Sequence, residues 1–192
     1  WNCQYPSPAR DRLLMTCHYD GSLDVYEMPL DGGVPADWTA AKLREALDAS
    51  RDKWERLMLL DHLRGVTKDA HERLLLHKHS AVLHMNYSEL ASAAFYVDLL
   101  ATAPAANDTD RGQAAIAKEL IAHRLEEQRL NRGQLNDGFI SEQRARLRRM
   151  EQVAHKAPPA VRDLATVAAV EILDVIGAEG EALKLLAGLD AP

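Results

Sequence analysis

The chain is poor in the residues that would mark it as a β-rich or disulfide-rich protein. Only 5% of its 192 residues are aromatic, and only two are cysteine. Few aromatic residues disfavour a β-sandwich or barrel, whereas 47% hydrophobic residues are enough for a folded core. The composition therefore predicts a mostly helical globular protein.

Charge and hydropathy argue against two kinds of partner. The net charge is −6, so the chain is not suited to a phosphate backbone and no nucleic acid is expected. No apolar run approaches the roughly 18 residues of a membrane-spanning helix, so no direct membrane insertion is expected in this segment. Because the chain begins at Trp1 and not at Met, we expect that a signal or anchor has been removed.

Catalytic and cofactor motifs are also missing from the sequence. It contains no G-x-S-x-G, no P-loop and no G-x-G-x-x-G, and HERLLLH at 71–77 is not the H-E-x-x-H of zinc proteases. No cofactor is expected, and an enzyme is the less favoured interpretation. An enzyme with an unrecognised site stays open as an alternative.

Residues 1–33 have a different character from the rest. WNCQY, RLLMTCHY and SLDVYEM are short runs of β-favouring residues, and Asp20-Gly21 between the last two is a strong hairpin signal. The pattern predicts a three-strand β-hairpin element at 1–33, followed by a helical domain at 34–192.

Cys3 and Cys17 lie symmetrically about the connection PSPARD, so antiparallel pairing of the first two strands would bring them together. A disulfide between them would stabilise the fold by roughly 3 kcal/mol. It would also place the protein in a periplasmic or other extracytoplasmic compartment. Two reduced cysteines in a cytoplasmic protein are the alternative.

The remaining sequence predicts a bundle of about six to seven helices. Residues 103–110, APAANDTD, form the clearest loop and a possible sub-boundary. We expect helices capped by Asp37, Thr67 and Asn86, a helix defined by Ile116, Leu120, Ile121 and Leu125, a helix that starts at Ser141, one from Val161 to Ile176, and a short last helix, EALKLLAGL. The first is predicted to end at Gly65, and Asn86 with Glu89 resembles a capping box.

Four histidines are concentrated in HERLLLHKHSAVLHM at 71–85. His77 and His84 share one polar stripe with Arg73 and Ser80, but residues seven apart lie about 10 Å apart along a helix. One helix therefore cannot present both imidazoles to the same ion. A structural or surface role is favoured, and metal binding by His77 and His84 is the alternative.

A second candidate for metal binding pairs Glu119 with His123, and Glu151 with His155 on the following helix. Carboxylate and imidazole groups on facing helices form metal sites in bundles. His155, however, projects away from the apolar face of its helix, and an exposed i,i+4 pair is the simpler interpretation. We therefore expect no metal, with Glu119 and His123 kept as candidates.

RARLRRM at 144–150 is the only basic run. Arg144, Arg148 and Arg149 cover a wide arc of one helix, which is typical of a solvated face or of a surface for an acidic protein partner. We predict a non-enzymatic, extracytoplasmic domain that binds another protein, as an assembly subunit, an inhibitor or immunity-type protein, or a sensor. A metal-binding stress or sensor domain is the first alternative.

Overall fold

The computed structural model describes the backbone of residues 2–9, 12–19, 22–29, 37–130 and 135–189, and the side chains of 37–130 and 135–188. Within these ranges the chain is mostly helical, as the sequence predicts. The described helices are α1 (Ala40–Ala49), α2 (Lys53–Val66), α3 (Ala70–Asn86), α4 (Leu90–Thr102), α5 (Asp108–Arg129), α6 (Asp137–Ala154), α7 (Pro159–Val175) and α8 (Glu179–Leu189).

Three strands precede the helices: β1 (Asn2–Ala9), β2 (Arg12–Tyr19) and β3 (Ser22–Pro29). They pair antiparallel in the order β1-β2-β3, and Cys3 lies opposite Cys17 in the backbone register. The side chains of these strands lie outside the described residues. The predicted disulfide between Cys3 and Cys17 therefore stays a prediction, as does the β-hairpin element that it would staple.

The chain divides into two compact units, Trp1–Thr67 and Lys68–Pro192. The domain boundary after residue 33 and the sub-boundary at 103–110 stay predictions. Within the described ranges, no helix combines the length and the apolar character needed to cross a membrane.

The first helix predicted from the sequence is two helices, so the described ranges hold eight where six to seven were expected. Asp52 caps the start of α2 by accepting the backbone N–H of Glu55 at 2.8 Å. The hydroxyl of Ser50 then donates to the Glu55 carboxylate at 2.5 Å. In a continuous helix the backbone N–H of Glu55 would bond to a carbonyl of the preceding turn. Here local side-chain hydrogen bonds replace that bond and stabilise the break between α1 and α2.

Three predicted helix ends were also wrong. α1 is capped by Thr39 and not by Asp37, and α2 continues through Gly65 to Val66. Asp69, not Thr67, caps α3 by accepting the backbone N–H of Glu72 at 2.7 Å. At the two helix starts, a polar residue two positions further on provides the oxygen that the first free N–H groups require.

Two further helix starts differ from the prediction. α6 begins at Asp137 with Asn136 as its cap, four residues before the predicted Ser141. Asn86 ends α3 and does not cap α4, so the predicted capping box with Glu89 is wrong. The Glu89 side chain is used elsewhere, as described below.

The second unit contains two hydrophobic cores that share α5. The first core joins α3, α4 and α5, and from α5 it takes Ala114 and Ile121. The second core joins α5, α6 and α7, and from α5 it takes Ile116 and Leu120. α5 therefore lies between the other helices of the unit and is apolar on two sides.

α5 packs closely against α7 at Gly112. A Cβ atom at this position would lie 3.0 Å from a methyl carbon of Val161, which is fully buried. Such a contact is tighter than ordinary packing allows, so the absence of a side chain at Gly112 permits the approach.

Candidate functional site

His77 and His84 are held by an aromatic ring from the neighbouring helix. The Tyr96 ring centroid lies 5.2 Å from that of His84 and 6.4 Å from that of His77, with interplanar angles of 13° and 29°. The two imidazoles are about 10 Å apart along α3, and the two centroid distances only just span that separation. The phenol ring of Tyr96 therefore lies between the imidazoles, and this stack of three rings packs α3 against α4.

His84 also closes the turn between α3 and α4. Its Nδ1 donates to Glu89 Oε2 at 2.6 Å, because an ionised carboxylate can only accept. The backbone N–H of Glu89 donates to the His84 carbonyl at 2.9 Å, and Ser88 in the turn has a φ of 58°. The hydrogen bond thus ties the end of α3 to the start of α4 across a backbone conformation that is unusual for serine.

The polar stripe predicted on α3 is not continuous. Ser80 is buried, Arg73 is exposed, and His71 is exposed while His79 is half-buried. Within residues 37–130 and 135–188, no group of three or more His, Cys, Asp or Glu side chains is placed to hold a metal ion. His77 and His84 belong to a stack between helices, not to a shared surface.

A buried chain of polar groups connects α5 and α6. His123 and Gln143 are both fully buried, and Gln143 Oε1 accepts a hydrogen bond from His123 Nδ1 at 3.0 Å. Gln143 Nε2 donates to Glu126 Oε2 at 2.8 Å. Only the amide nitrogen can donate to the carboxylate, so the amide orientation is fixed and His123 carries its proton on Nδ1.

The other ring nitrogen of His123 has a different environment. Nε2 is buried and has no hydrogen-bond partner among the described residues. The ring of Phe139 is 6.5 Å away between centroids. The sequence placed His123 at the edge of its apolar face, whereas the structure places it in the interior.

Arg146 and Arg149 of α6 neutralise the carboxylates that face them from α5. Arg146 is 7% exposed, and it donates to Glu126 at 2.6 Å and to Glu119 at 3.2 Å. Arg149 donates to the two oxygens of Glu119 at 2.8 and 3.0 Å, and to Glu142 at 2.9 Å. Both oxygens of Glu119 are therefore occupied by guanidinium groups.

The pKa of Glu119 reflects these contacts. Partial burial raises the pKa of the carboxyl, but hydrogen bonds and positive charge from Arg149 and Arg146 outweigh this effect. The net pKa lies below the ordinary value. Glu119 is thus an ionised partner of arginine and not a general acid.

Arg124 and Glu171 form a comparable pair between α5 and α7. The hydrogen bond from Arg124 lowers the pKa of Glu171, and this effect exceeds the opposing effect of partial burial. Both groups are therefore charged at neutral pH. The pair fixes the register of α5 against α7.

A groove of about 620 Å³ lies between α6, α7 and α8. One wall is formed by side chains of α6 and its C-cap, from Arg144 to His155, and the other by side chains of α7, from Arg162 to Leu173. α8 contributes Glu181 and Leu185. The apolar lining includes Leu147, Met150, Ala165, Ala169, Leu173 and Leu185. The polar side chains around it include Arg144, Arg148, Glu151, His155, Arg162 and Glu181.

The basic groups of this groove differ in how they are paired. Arg144 donates to the two oxygens of Glu181 at 2.6 and 2.7 Å, and this hydrogen bonding lowers the pKa of Glu181. Arg148 and Arg162 are exposed, and neither has a carboxylate partner in the part of the chain that the structure describes. The groove therefore combines an apolar lining with two unneutralised guanidinium groups.

The residues predicted from sequence are distributed over three places. Arg144 and Arg148 line the groove, whereas Arg149 pairs with carboxylates that also contact Arg146. Glu119 and His123 lie in the α5–α6 contact, and His77 and His84 lie between α3 and α4. The structure does not bring the four metal candidates together.

Three relevant residues were missed: Gln143, Arg146 and Arg162. The first two could have been suspected because Glu119 and Glu126, seven residues apart, share a face of α5 and need cationic or amide partners. Arg162 gave no signal of its own, since it lies next to Asp163 and belongs to no basic run.

Comparison of the chain with protein-family models, with curated proteins and with solved structures finds no match. The described residues define an α-helical bundle with a groove between its last three helices. The chemistry of that groove is therefore the main structural feature that bears on function.

Proposed function

We propose that this chain is a non-enzymatic, extracytoplasmic domain that binds another protein through the groove between α6, α7 and α8. It would serve as an assembly subunit, an inhibitor or immunity-type protein, or a sensor domain. The observation that carries the proposal is the combination of an apolar lining with Arg148 and Arg162, which have no carboxylate partner among residues 37–130 and 135–188.

An apolar groove with arginine at its edge has the composition of a protein-binding surface. Arginine is enriched in interfaces, and apolar side chains in their centres are shielded from water on binding. Leu185, which lines the groove, is 38% exposed, so part of the apolar lining is open to solvent. Such surface is costly to leave in water and favours a protein that covers it.

The alternative of a metal-binding stress or sensor domain has less support. The Glu119 oxygens are engaged by Arg146 and Arg149, and two guanidinium groups beside a carboxylate repel a cation. His123 uses Nδ1 for Gln143. His84 uses Nδ1 for Glu89, so each ring has one nitrogen left. Within residues 37–130 and 135–188, no group of three His, Cys, Asp or Glu side chains is placed to hold a metal ion around either ring.

The extracytoplasmic part of the proposal rests on the N-terminal strands. Cys3 and Cys17 stand opposite each other in the backbone register, which is the arrangement that a cross-strand disulfide requires. We propose that residues 1–33 form a stapled three-strand element, and that the protein works in an oxidising compartment.

The test uses the full chain as immobilised bait in an extracytoplasmic extract of the source organism. Wild-type protein is compared with R148E/R162E and with R73E, which reverses an exposed arginine on α3. We expect mass spectrometry to identify a protein that wild type and R73E retain and that R148E/R162E loses, while all three give the same circular dichroism. Capture that is equal for all three chains would contradict the proposal.

A further inference from the structure

α8 already occupies one end of the groove, and its contacts show what this surface accepts. Glu181 and Leu185 are four residues apart, so both side chains lie on the same face of α8. Glu181 accepts two hydrogen bonds from Arg144, and Leu185 joins the apolar lining. α8 packs mainly against α7, and it meets α6 through the ion pair between Glu181 and Arg144.

Each of the two long walls of the groove is formed by one face of a helix. Apart from the buried Met150, the lining positions of α6 and its C-cap are Arg144, Leu147, Arg148, Glu151, Ala154 and His155. They follow an i, i+3, i+4, i+7 pattern, and the lining of α7 from Arg162 to Leu173 does the same. Eleven residues along each helix correspond to roughly 16 Å, or about three turns.

α8 does not extend along these walls to their other end. A short connection joins α6 to α7, so the two helices are antiparallel and Arg144 lies at the same end as Leu173. α8 follows α7 closely and covers that end through Glu181 and Leu185. The part of the groove beyond α8, the open end, begins one turn further along α6 at Arg148 and extends to His155 and Arg162.

The charge at this open end favours an acidic occupant. Arg148 and Arg162 are exposed and lack carboxylate partners among the described residues, and Glu151 is the one acidic side chain in the lining there. The net charge of the whole chain is −6, so a local excess of positive charge gives directional attraction for an acidic segment.

We propose that the open end of the groove binds an acidic amphipathic helix of the partner protein, two to three turns long. The partner helix sets Glu or Asp against Arg148 and Arg162, as α8 sets Glu181 against Arg144. Its apolar side chains lie on Leu147, Ala154 and Ala169, which are half-buried and line the groove together with the buried Met150. This inference rests on the proposed function and names the chemistry of the partner.

The test measures peptide binding to the full chain by fluorescence anisotropy. The probe is a synthetic, helix-stabilised, fluorescein-labelled peptide with leucine on one face and glutamate at the flanking positions. The matched peptide has glutamine in place of every glutamate. We expect the acidic peptide to bind at least about tenfold more tightly at low salt, and this preference to shrink as salt is added.

Variants of the chain locate the binding. R148E/R162E should weaken the acidic peptide by about tenfold or more, whereas R73E should leave its Kd unchanged. In methyl NMR spectra of the wild-type chain, the peptide should shift the signals of Met150 and Ala169. The glutamine peptide should respond little to either variant.

Two results would overturn the inference: equal affinity for the acidic and glutamine peptides, or tight acidic-peptide binding that R148E/R162E does not change. Absence of measurable binding by either peptide would also contradict it. If R148E/R162E still loses its captured protein from extract in that case, the proposed function stands and only the helical acidic partner is wrong. If capture is also unaffected, both fail.

Discussion

Arg124 on α5 and Glu171 on α7 face each other through two nearly parallel hydrogen bonds of 2.5 and 2.7 Å. Their side chains are 31% and 34% exposed, so the pair is shielded from solvent on most sides. The two residues are 47 positions apart in the chain. The pair is therefore a tertiary contact that depends on the α5–α7 packing.

Glu171→Gln should lower the free energy of unfolding at pH 7 by about 1 kcal/mol, the upper range for a partly exposed ion pair. Because the pKa of Glu171 in the folded chain lies below its ordinary value of 4.5, the pair stabilises the fold above that pH. The contribution is lost as the pH falls below 4.5. Urea unfolding at pH 7 and pH 3 should show the difference between variant and wild type shrinking in acid.

Glu151→Gln is the matched control for this measurement, since Glu151 is exposed. It should change stability little at either pH. Stability curves of Glu171→Gln and wild type that stay parallel from pH 7 to pH 3 would show that the pair contributes nothing that depends on the charge of Glu171.

Gln143→Leu should destabilise the chain by roughly 1–3 kcal/mol, because it leaves the buried Nδ1–H of His123 without an acceptor. It also removes a donor from Glu126. Gln128→Leu makes the same change at an exposed position of α5 and should have little effect. Chemical denaturation of both variants checks this, and equal stabilities would contradict the buried chain of hydrogen bonds.

His123 should be observed as the tautomer that carries its proton on Nδ1. The reason is that Gln143 must use its amide nitrogen for Glu126 and therefore offers only its oxygen to the imidazole. Long-range ¹H–¹⁵N spectra distinguish the two tautomers by the nitrogen shifts. A proton on Nε2 at neutral pH would mean that the Gln143 amide is reversed.

Tyr96→Leu should cost more stability than Phe95→Leu. Tyr96 stacks on both His77 and His84, whereas Phe95 is 58% exposed and meets Tyr96 edge-on. Aromatic pairs contribute roughly 0.5–1.5 kcal/mol each beyond the area they bury. Thermal unfolding of the two variants makes the comparison, and a larger loss for Phe95→Leu would exclude the stack as a main contact between α3 and α4.

The predicted disulfide is tested by intact mass spectrometry without reductant. We expect the chain to be two hydrogens lighter than its reduced form and to resist alkylation at Cys3 and Cys17 until it is reduced. Cys3→Ser/Cys17→Ser should then lose roughly 3 kcal/mol relative to the oxidised chain. Two thiols that react at once in freshly isolated protein would place it in a reducing compartment instead.

The helical class could be predicted from sequence because apolar spacing is a property of each helix by itself. Leu120 and Ile121 show the inward side of α5, and Ile172 with Leu173 shows that of α7, without knowledge of any neighbour. The stops at Ala157-Pro158-Pro159 and after Thr102 are equally local, because proline removes a backbone donor.

The buried polar groups could not be predicted in the same way. The helical wheel placed His123 at the edge of an apolar face, and the side chain that permits its full burial, Gln143, lies 20 residues away on another helix. Glu89 was read as the second half of a capping box, yet its carboxylate accepts from His84. Capping patterns and helical wheels describe only the hydrogen bonds that a residue makes within its own helix. His123 and Glu89 instead bond to side chains of another helix.

The groove illustrates the same limit. Arg144, Arg148 and Arg149 are close in sequence, and the sequence predicts that they form one surface. A helix, however, separates successive side chains by 100°. Arg149 therefore pairs with Glu119 on the α5 side, while Arg148 faces the groove. Arg162, which completes the open end, comes from the next helix.

α5 supplies Ala114 and Ile121 to one core and Ile116 and Leu120 to the other. A fragment that kept only α3, α4 and α5 would expose the second pair, and one that kept only α5, α6 and α7 would expose the first. Neither half of the unit can keep its shape without the other. The segment from Lys68 onward is therefore expected to unfold in a single cooperative transition, with loss of the groove and of the α3–α4 stack at the same denaturant concentration.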